Sequence, residues 1–143
     1  MITCCPRCGE ALAPDRSPPS LRCSAEVYAL LGPTLARKKQ ERFLVVALDA
    51  RNRIIRKHVV AVGSLTACIV HPREAFAPLV RDRAAAVILI HNHPSGDATP
   101  SPEDFELTER LAKAGQLLGI AVLDHIVVGK KGYYSFRDAG RIG

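Results

Sequence analysis

The chain has 143 residues, 48% hydrophobic and 24% charged, enough to bury one ordinary domain core and too apolar for a disordered chain. Twenty Lys and Arg against fourteen Asp and Glu leave a charge of +6, which favours weak, salt-sensitive contact with polyanions. Three Tyr, four Phe and no Trp exclude an extensive base-stacking platform, and no apolar run approaches the roughly 20 residues that span a bilayer.

The N-terminus lacks a charged segment followed by an apolar stretch and a small-residue cleavage site, so export is not expected. Five cysteines, an odd number with Cys4, Cys5 and Cys8 close together, suit a reducing compartment, and the expected address is cytoplasmic. Residues 1–23 read as a separate cysteine-containing extension, because Pro14, Ser17, Pro18, Pro19 and Ser20 favour extended, poorly packed chain. The remainder, 24–143, reads as one domain.

From Ser24 to about Arg37, Val27, Leu30, Leu31 and Leu35 recur near a helical period, with Ser24 as the expected N-cap and Glu26 in the first turn. Gly32-Pro33 counts against the helix. Phe43 to Leu48 is a continuous apolar run, expected as a strand buried on both faces. A turn at Asp49–Asn52 leads to a β-branched strand from Ile54 to Val62, and Thr66 to Val70 reads as a short third strand. Pro72 opens a helix whose Phe76, Leu79 and Val80 are expected inside, although Pro78 interrupts it.

Ala84 to Ile90 is a second fully apolar strand, and its end delivers His91 and His93. After a turn-rich loop, Ser101-Pro102-Glu103-Asp104 has Ser at N-cap, Pro at N1 and an acid at N3. Leu107, Leu111, Ala114 and Leu118 are the expected inner stripe of that helix, and Gly119 its terminator. Ile120 to Val128 and Tyr133 to Phe136 read as a closing hairpin around Gly129–Gly132. Apolar strands alternating with helices give a mixed α/β domain.

His91 and His93, two positions apart in extended chain, share a face, and after ten intervening residues a carboxylate follows at Asp104, in the first turn of the next helix. Taken singly, these residues have plainer readings: Asp104 as the acidic half of a capping box with Ser101, His93-Pro94 as turn chemistry. Jointly, two imidazoles and a carboxylate supply three ligands and leave a fourth position open, the arrangement of catalytic rather than structural zinc, with bonds expected at about 2.0–2.2 Å. Iron and manganese suit the same donors. A hydrolase would also need a proton acceptor. Glu41, at the mouth of the first buried strand, is the leading candidate and Glu74 its competitor.

Glu41 followed by His91-Asn92-His93-Pro94, Ser101 and Asp104 resembles the JAMM (JAB/MPN) metalloprotease signature. His91–Ser101, Leu123–Gly129, Val70–Glu74 and Leu48–Arg53 are similar to the RadC-like branch of bacterial JAB domains. The similarity runs over about residues 24–138. It implies a cytidine-deaminase-like fold, a strongly curved mixed β-sheet flanked by helices. It implies one zinc ion on His91, His93 and Asp104 with water as fourth ligand, Glu41 as general base and then acid, and Ser101 as donor to the developing oxyanion. Related JAMM enzymes cleave peptide or isopeptide bonds, often in ubiquitin-like substrates, so a protein or peptide substrate is expected.

The RadC-like branch also carries a DNA-repair label, and its members usually have an N-terminal helix-hairpin-helix region. Here about twenty residues with a cysteine cluster stand in that place, which weakens a borrowed role in DNA binding. The rival functions are a nucleic-acid-associated repair or mobile-element factor and an inactive JAB scaffold. Cys5 and Cys8 form half of a zinc knuckle, to which Cys23 would add a third thiolate and Cys4 a strained fourth; the competing expectation is a reduced tail without metal. Cys68 reads as a small core residue, His125 as a structural histidine or a partner of a metal ligand, and His58 and His71 as surface or turn residues. Oligomeric state is not legible.

Overall fold

The computed structural model describes residues 20–63 and 70–142, together with the backbone of 3–4 and 11–12. The strand expected at Thr66–Val70, Cys68, and the thiolates of Cys4, Cys5 and Cys8 lie outside the described residues, apart from Val70. Near the N-terminus β1 (Thr3–Cys4) pairs antiparallel with β2 (Ala11–Leu12). The main body follows as α1 (Ser24–Ala36), β3 (Arg42–Leu48), β4 (Ile54–Val62), α2 (Pro72–Arg81), β5 (Ala86–Asn92), α3 (Pro102–Leu118), β6 (Ala121–Val128) and β7 (Tyr133–Ser135).

Five strands form one sheet in the order β4-β3-β5-β6-β7. All neighbours are antiparallel except β5 and β6, which run parallel and are joined by α3 as the crossover. A parallel pair requires such a connection, and it carries the chain from the end of β5 straight into the start of α3. Register shifts at Phe43/Leu44 and Ala47/Leu48 on β3 and at Val87/Ile88 on β5 interrupt the ladder, and such irregularities increase local twist.

The apolar runs of β3 and β5 are explained by helices on both sheet faces. Val46, Leu48, Ala86, Ile88 and Ile90 pack with Leu21, Val27, Leu31 and Leu35 on the α1 side. Phe43, Val45, Ala47, Val87 and Leu89 pack with Phe76, Leu79 and Leu111 on the α2 and α3 side. Each side chain of this size removed from water contributes about 1.5–3 kcal/mol, so these central strands dominate the stabilisation.

Helix α1 starts one residue early: Cys23 is its N-cap, and no side chain caps there. Ser24 instead lies inside the first turn, where its hydroxyl donates to Asp138 Oδ2 and also meets the Tyr133 hydroxyl at 3.3 Å. Its polar group is used to tie α1 to the C-terminal segment. Both Pro33 and Pro78 sit inside helices. Burial of Leu31 and Leu35 in one helix, and of Pro78 and Leu79 in the other, offsets the missing backbone donor.

Two expected inward residues face solvent: Val80 and Leu118 are each 53% exposed. The buried line on α3 is Asp104, Thr108, Leu111 and Gly115, with Leu107 and Ala114 only partly buried. Gly119, at φ 75°, terminates α3 in the left-handed conformation that favours glycine. His58, expected at the surface, is partly buried on β4 and faces Asp82 Oδ2 at 2.5 Å, whereas His71 is the N-cap residue of α2. Among the described residues, no helix is long and apolar enough to cross a membrane.

Candidate metal site

Strand β5 runs one full pleat further than the apolar pattern suggests and includes His91 and Asn92. His93 leaves the strand but stays extended, its backbone N–H donating to Val128 O of β6 at 2.9 Å. Alternation therefore puts both imidazoles on the α3 side of the sheet. Asp104 comes from the first turn of α3, where the expected capping box is complete: Ser101 Oγ accepts from Asp104 N at 3.2 Å, and Asp104 Oδ2 accepts from Ser101 N at 2.9 Å. Capping and metal ligation are thus compatible here, because the box uses one face of the carboxylate.

The three side chains converge. His91 Nε2 and His93 Nε2 are 3.1 Å apart, and Asp104 offers Oδ1 to the first at 3.4 Å and Oδ2 to the second at 3.2 Å. One donor atom from each residue lies within 4.8 Å of the other two, so the group could hold a metal ion. The donor set itself is the test of fit. Two imidazole nitrogens and a carboxylate gathered this closely are a ready donor set for a borderline divalent cation, each ring offering a lone pair once the nitrogen facing the group carries no proton. His91 and Asp104 are essentially buried, and His93 is 13% exposed, so the group opens to solvent along one side.

The charges of Asp104 and the two histidines act on one another. Burial alone would raise the Asp104 pKa, but its contacts with His91 and His93 outweigh it and hold the carboxyl well below the usual range. The same Asp104 contact raises the pKa of His93 against the effect of burial, helped by the Asp97 carbonyl. His93 Nδ1 donates to that carbonyl at 2.9 Å, which leaves Nε2 as the free lone pair of the neutral ring.

Glu41 lies at the entry to β3, which runs antiparallel to β5 with Phe43 opposite His91. The pairing brings Glu41 Oε1 to 4.0 Å from His93 Nε2, with the carboxylate side chain 21% exposed. The competitor Glu74 is on an exposed face of the first turn of α2. Ser101 Oγ accepts from Asp104 N in the cap, a contact that does not use its own proton.

Two polar residues beyond the expected set support this arrangement. Asn92, 1% exposed, points away from the histidines, accepting from Arg42 N at 2.8 Å and donating to Gln40 O at 3.1 Å. It thereby clamps the backbone on both sides of Glu41. Thr108, one helical turn beyond Asp104, contacts His125 Nδ1 at 2.5 Å, and His125 Nε2 contacts His91 Nδ1 at 2.7 Å. His125 is thus a buried, hydrogen-bonded histidine in contact with His91, one of the three residues that could hold a metal ion. Its ring is fully buried, stacked on Phe136 at 4.7 Å and edge-on to Phe43 at 5.5 Å; desolvation holds its pKa well below the ordinary value. The i+4 spacing from Asp104 to Thr108 was the available sequence signal for the second of these residues.

Comparison with known proteins adds an independent line. A UPF0758 protein of Syntrophotalea carbinolica is 52% identical over 114 residues, covering 80% of this chain and 50% of that relative. One from Trichlorobacter lovleyi is 55% identical over 116 residues, and one from Methanosarcina barkeri 49% over 115, again with 50% of each relative covered. The chain therefore spans about half the length of the curated relatives it matches. The sequence model described as the RadC-like JAB domain matches residues 21–141, from the buried Leu21 to the segment after β7. The chain belongs to the RadC-like JAB domain family.

Proposed function

We propose that this domain is a zinc-dependent hydrolase of the JAMM type that cleaves a peptide or isopeptide amide. The carrying observation is the arrival of Glu41, from the mouth of another strand, within 4.0 Å of a histidine of the His91–His93–Asp104 group. Asn92 holds the backbone on both sides of Glu41, which keeps this carboxylate at the mouth of the strand beside His93. When bound, a zinc ion would polarise the scissile carbonyl and lower the pKa of water.

The chain's own residues supply the rest. Glu41, partly exposed, takes the proton from attacking water and returns it to the leaving amine, a general base that becomes a general acid. Ser101 donates its hydroxyl proton to the developing oxyanion, a contact that strengthens as charge builds up. Asp104 and His91, both buried, exclude bulk water from one side of the reacting group. The inactive scaffold is disfavoured because it has no use for an acid–base residue at this position.

The test separates ligand from base. Purified protein should contain one zinc per chain at the central site by elemental analysis, and His93→Ala should lose it. Glu41→Gln should retain the zinc and lose at least about 100-fold in turnover of quenched fluorescent peptide and isopeptide substrates. Hydrolysis by Glu41→Gln at the wild-type rate would remove Glu41 from the mechanism, and absence of bound metal in the wild type would remove the hydrolase reading itself.

A further inference from the structure

We infer that Thr108 and His125 are positioning residues which, through a directed chain of hydrogen bonds anchored on the backbone carbonyl of Asp104, fix His91 in the tautomer that presents a bare Nε2 to a metal ion.

Proton counting gives the direction. The Thr108 hydroxyl has one proton and lies 2.7 Å from Asp104 O, which can only accept. That bond uses the proton, so Thr108 Oγ1 meets His125 Nδ1 at 2.5 Å as the acceptor, and His125 carries its proton on Nδ1. His125 is completely buried between the Phe43 and Phe136 rings, a setting in which a neutral imidazole is strongly preferred. Its Nε2 is then a lone pair and must accept at 2.7 Å from His91, which places the His91 proton on Nδ1. The remaining nitrogen of His91, Nε2, is the one that faces His93 and Asp104.

Reversal of the chain would have the opposite effect. If Thr108 donated to His125 Nδ1, His125 would carry its proton on Nε2 and donate to His91 Nδ1. The His91 proton would then sit on Nε2, inside the site, and block ligation. Asp104 therefore acts twice: its carboxylate joins the site, and its carbonyl sets the proton on a histidine three groups away. His93 has a shorter version of the same device in the Asp97 carbonyl.

This inference rests on the metal reading for its purpose, but its first readout does not involve metal. Long-range proton–nitrogen NMR of the zinc-free protein with labelled histidine should show His91 protonated on Nδ1 at a pH where the ring is neutral. In Thr108→Val, nearly equal in size but unable to accept, the His125 proton is released and His91 should shift toward protonation on Nε2. Zinc affinity, measured by competition with a chromophoric chelator, should fall about 10- to 100-fold. Thr108→Ser, which restores the acceptor, should recover both the tautomer and the affinity.

Wild-type His91 protonated on Nε2 would overturn the inference even if no variant folded. So would a folded Thr108→Val protein with unchanged tautomer and unchanged zinc affinity. A wild-type protein with the Nδ1 tautomer, sensitive to Thr108→Val but indifferent to zinc, would sustain the relay and sink the metal reading.

Discussion

At the scale of single residues, the site depends on polar side chains that never touch it. Asn92 satisfies two backbone groups that flank Glu41 and is itself almost fully buried. Asn92→Ala leaves Gln40 O and Arg42 N without those partners, at a cost of about 1–3 kcal/mol in thermal or urea unfolding. Because His91 and His93 face the other side of the strand, zinc affinity should stay at the wild-type level. Turnover should fall about 10- to 100-fold, since a misplaced base loses alignment before it loses basicity. Chelator competition and peptide hydrolysis on one preparation would check the pair, and equal losses in both would show that Asn92 holds the whole site rather than Glu41.

At the scale of elements, the His91–His93–Asp104 group is set by the meeting of β5, α3 and β6, and the weak point is the loop between the first two. Its turn is held by Gly96 N to His93 O at 2.9 Å and Lys130 N to Gly96 O at 3.0 Å, so it leans on the start of the β6–β7 hairpin. Gly129 makes that approach possible: a Cβ there would lie 2.5 Å from Gly96 O and 3.0 Å from Ala98 N. Gly129→Ala should therefore displace the loop that presents Asp97 O to His93, destabilise the fold by about 1–3 kcal/mol, and weaken zinc binding as well. Melting and chelator competition would test this; lower stability with intact zinc affinity would mean that the loop yields away from the site. The elements themselves were largely legible in the sequence. Apolar runs located β3 and β5, and Ser101, Pro102 and Asp104 announced the start of α3. The failures share a cause. Val80 and Leu118 are apolar residues at helix ends, where the sheet no longer covers them, and Ser24 was taken up by a tertiary partner, Asp138, that local pattern does not reveal. The relay was hidden likewise, because the contact between His125 and His91 follows from the parallel pairing of β5 with β6.

At the scale of the whole molecule, net charge and the location of the site bear on the nucleic-acid alternative. The charge of +6 comes from basic residues gathered in separate clusters along the chain. Arg51, Arg53, Arg56 and Lys57 gather around the β3–β4 turn, at the end of the sheet opposite Glu41 and His91, and two of them are engaged: Arg53 with Asp49 at 2.8 Å and Arg56 with Asp82 at 4.0 Å. Lys130 and Lys131 are exposed at the other end, beyond β6, and Arg37 and Lys39 are exposed in the segment that leads into Glu41. A rigid duplex laid against the site would reach these last two groups but not the β3–β4 turn. Each phosphate neutralised contributes about −0.9 to the slope of log affinity against log salt. Fluorescence titration of this chain with a short DNA duplex should therefore give weak binding with a slope no steeper than about −4, corresponding to about four contacts. A slope near −6 or steeper would require a basic track that both ends of the sheet share, and would favour a nucleic-acid role over amide hydrolysis as the work of this domain.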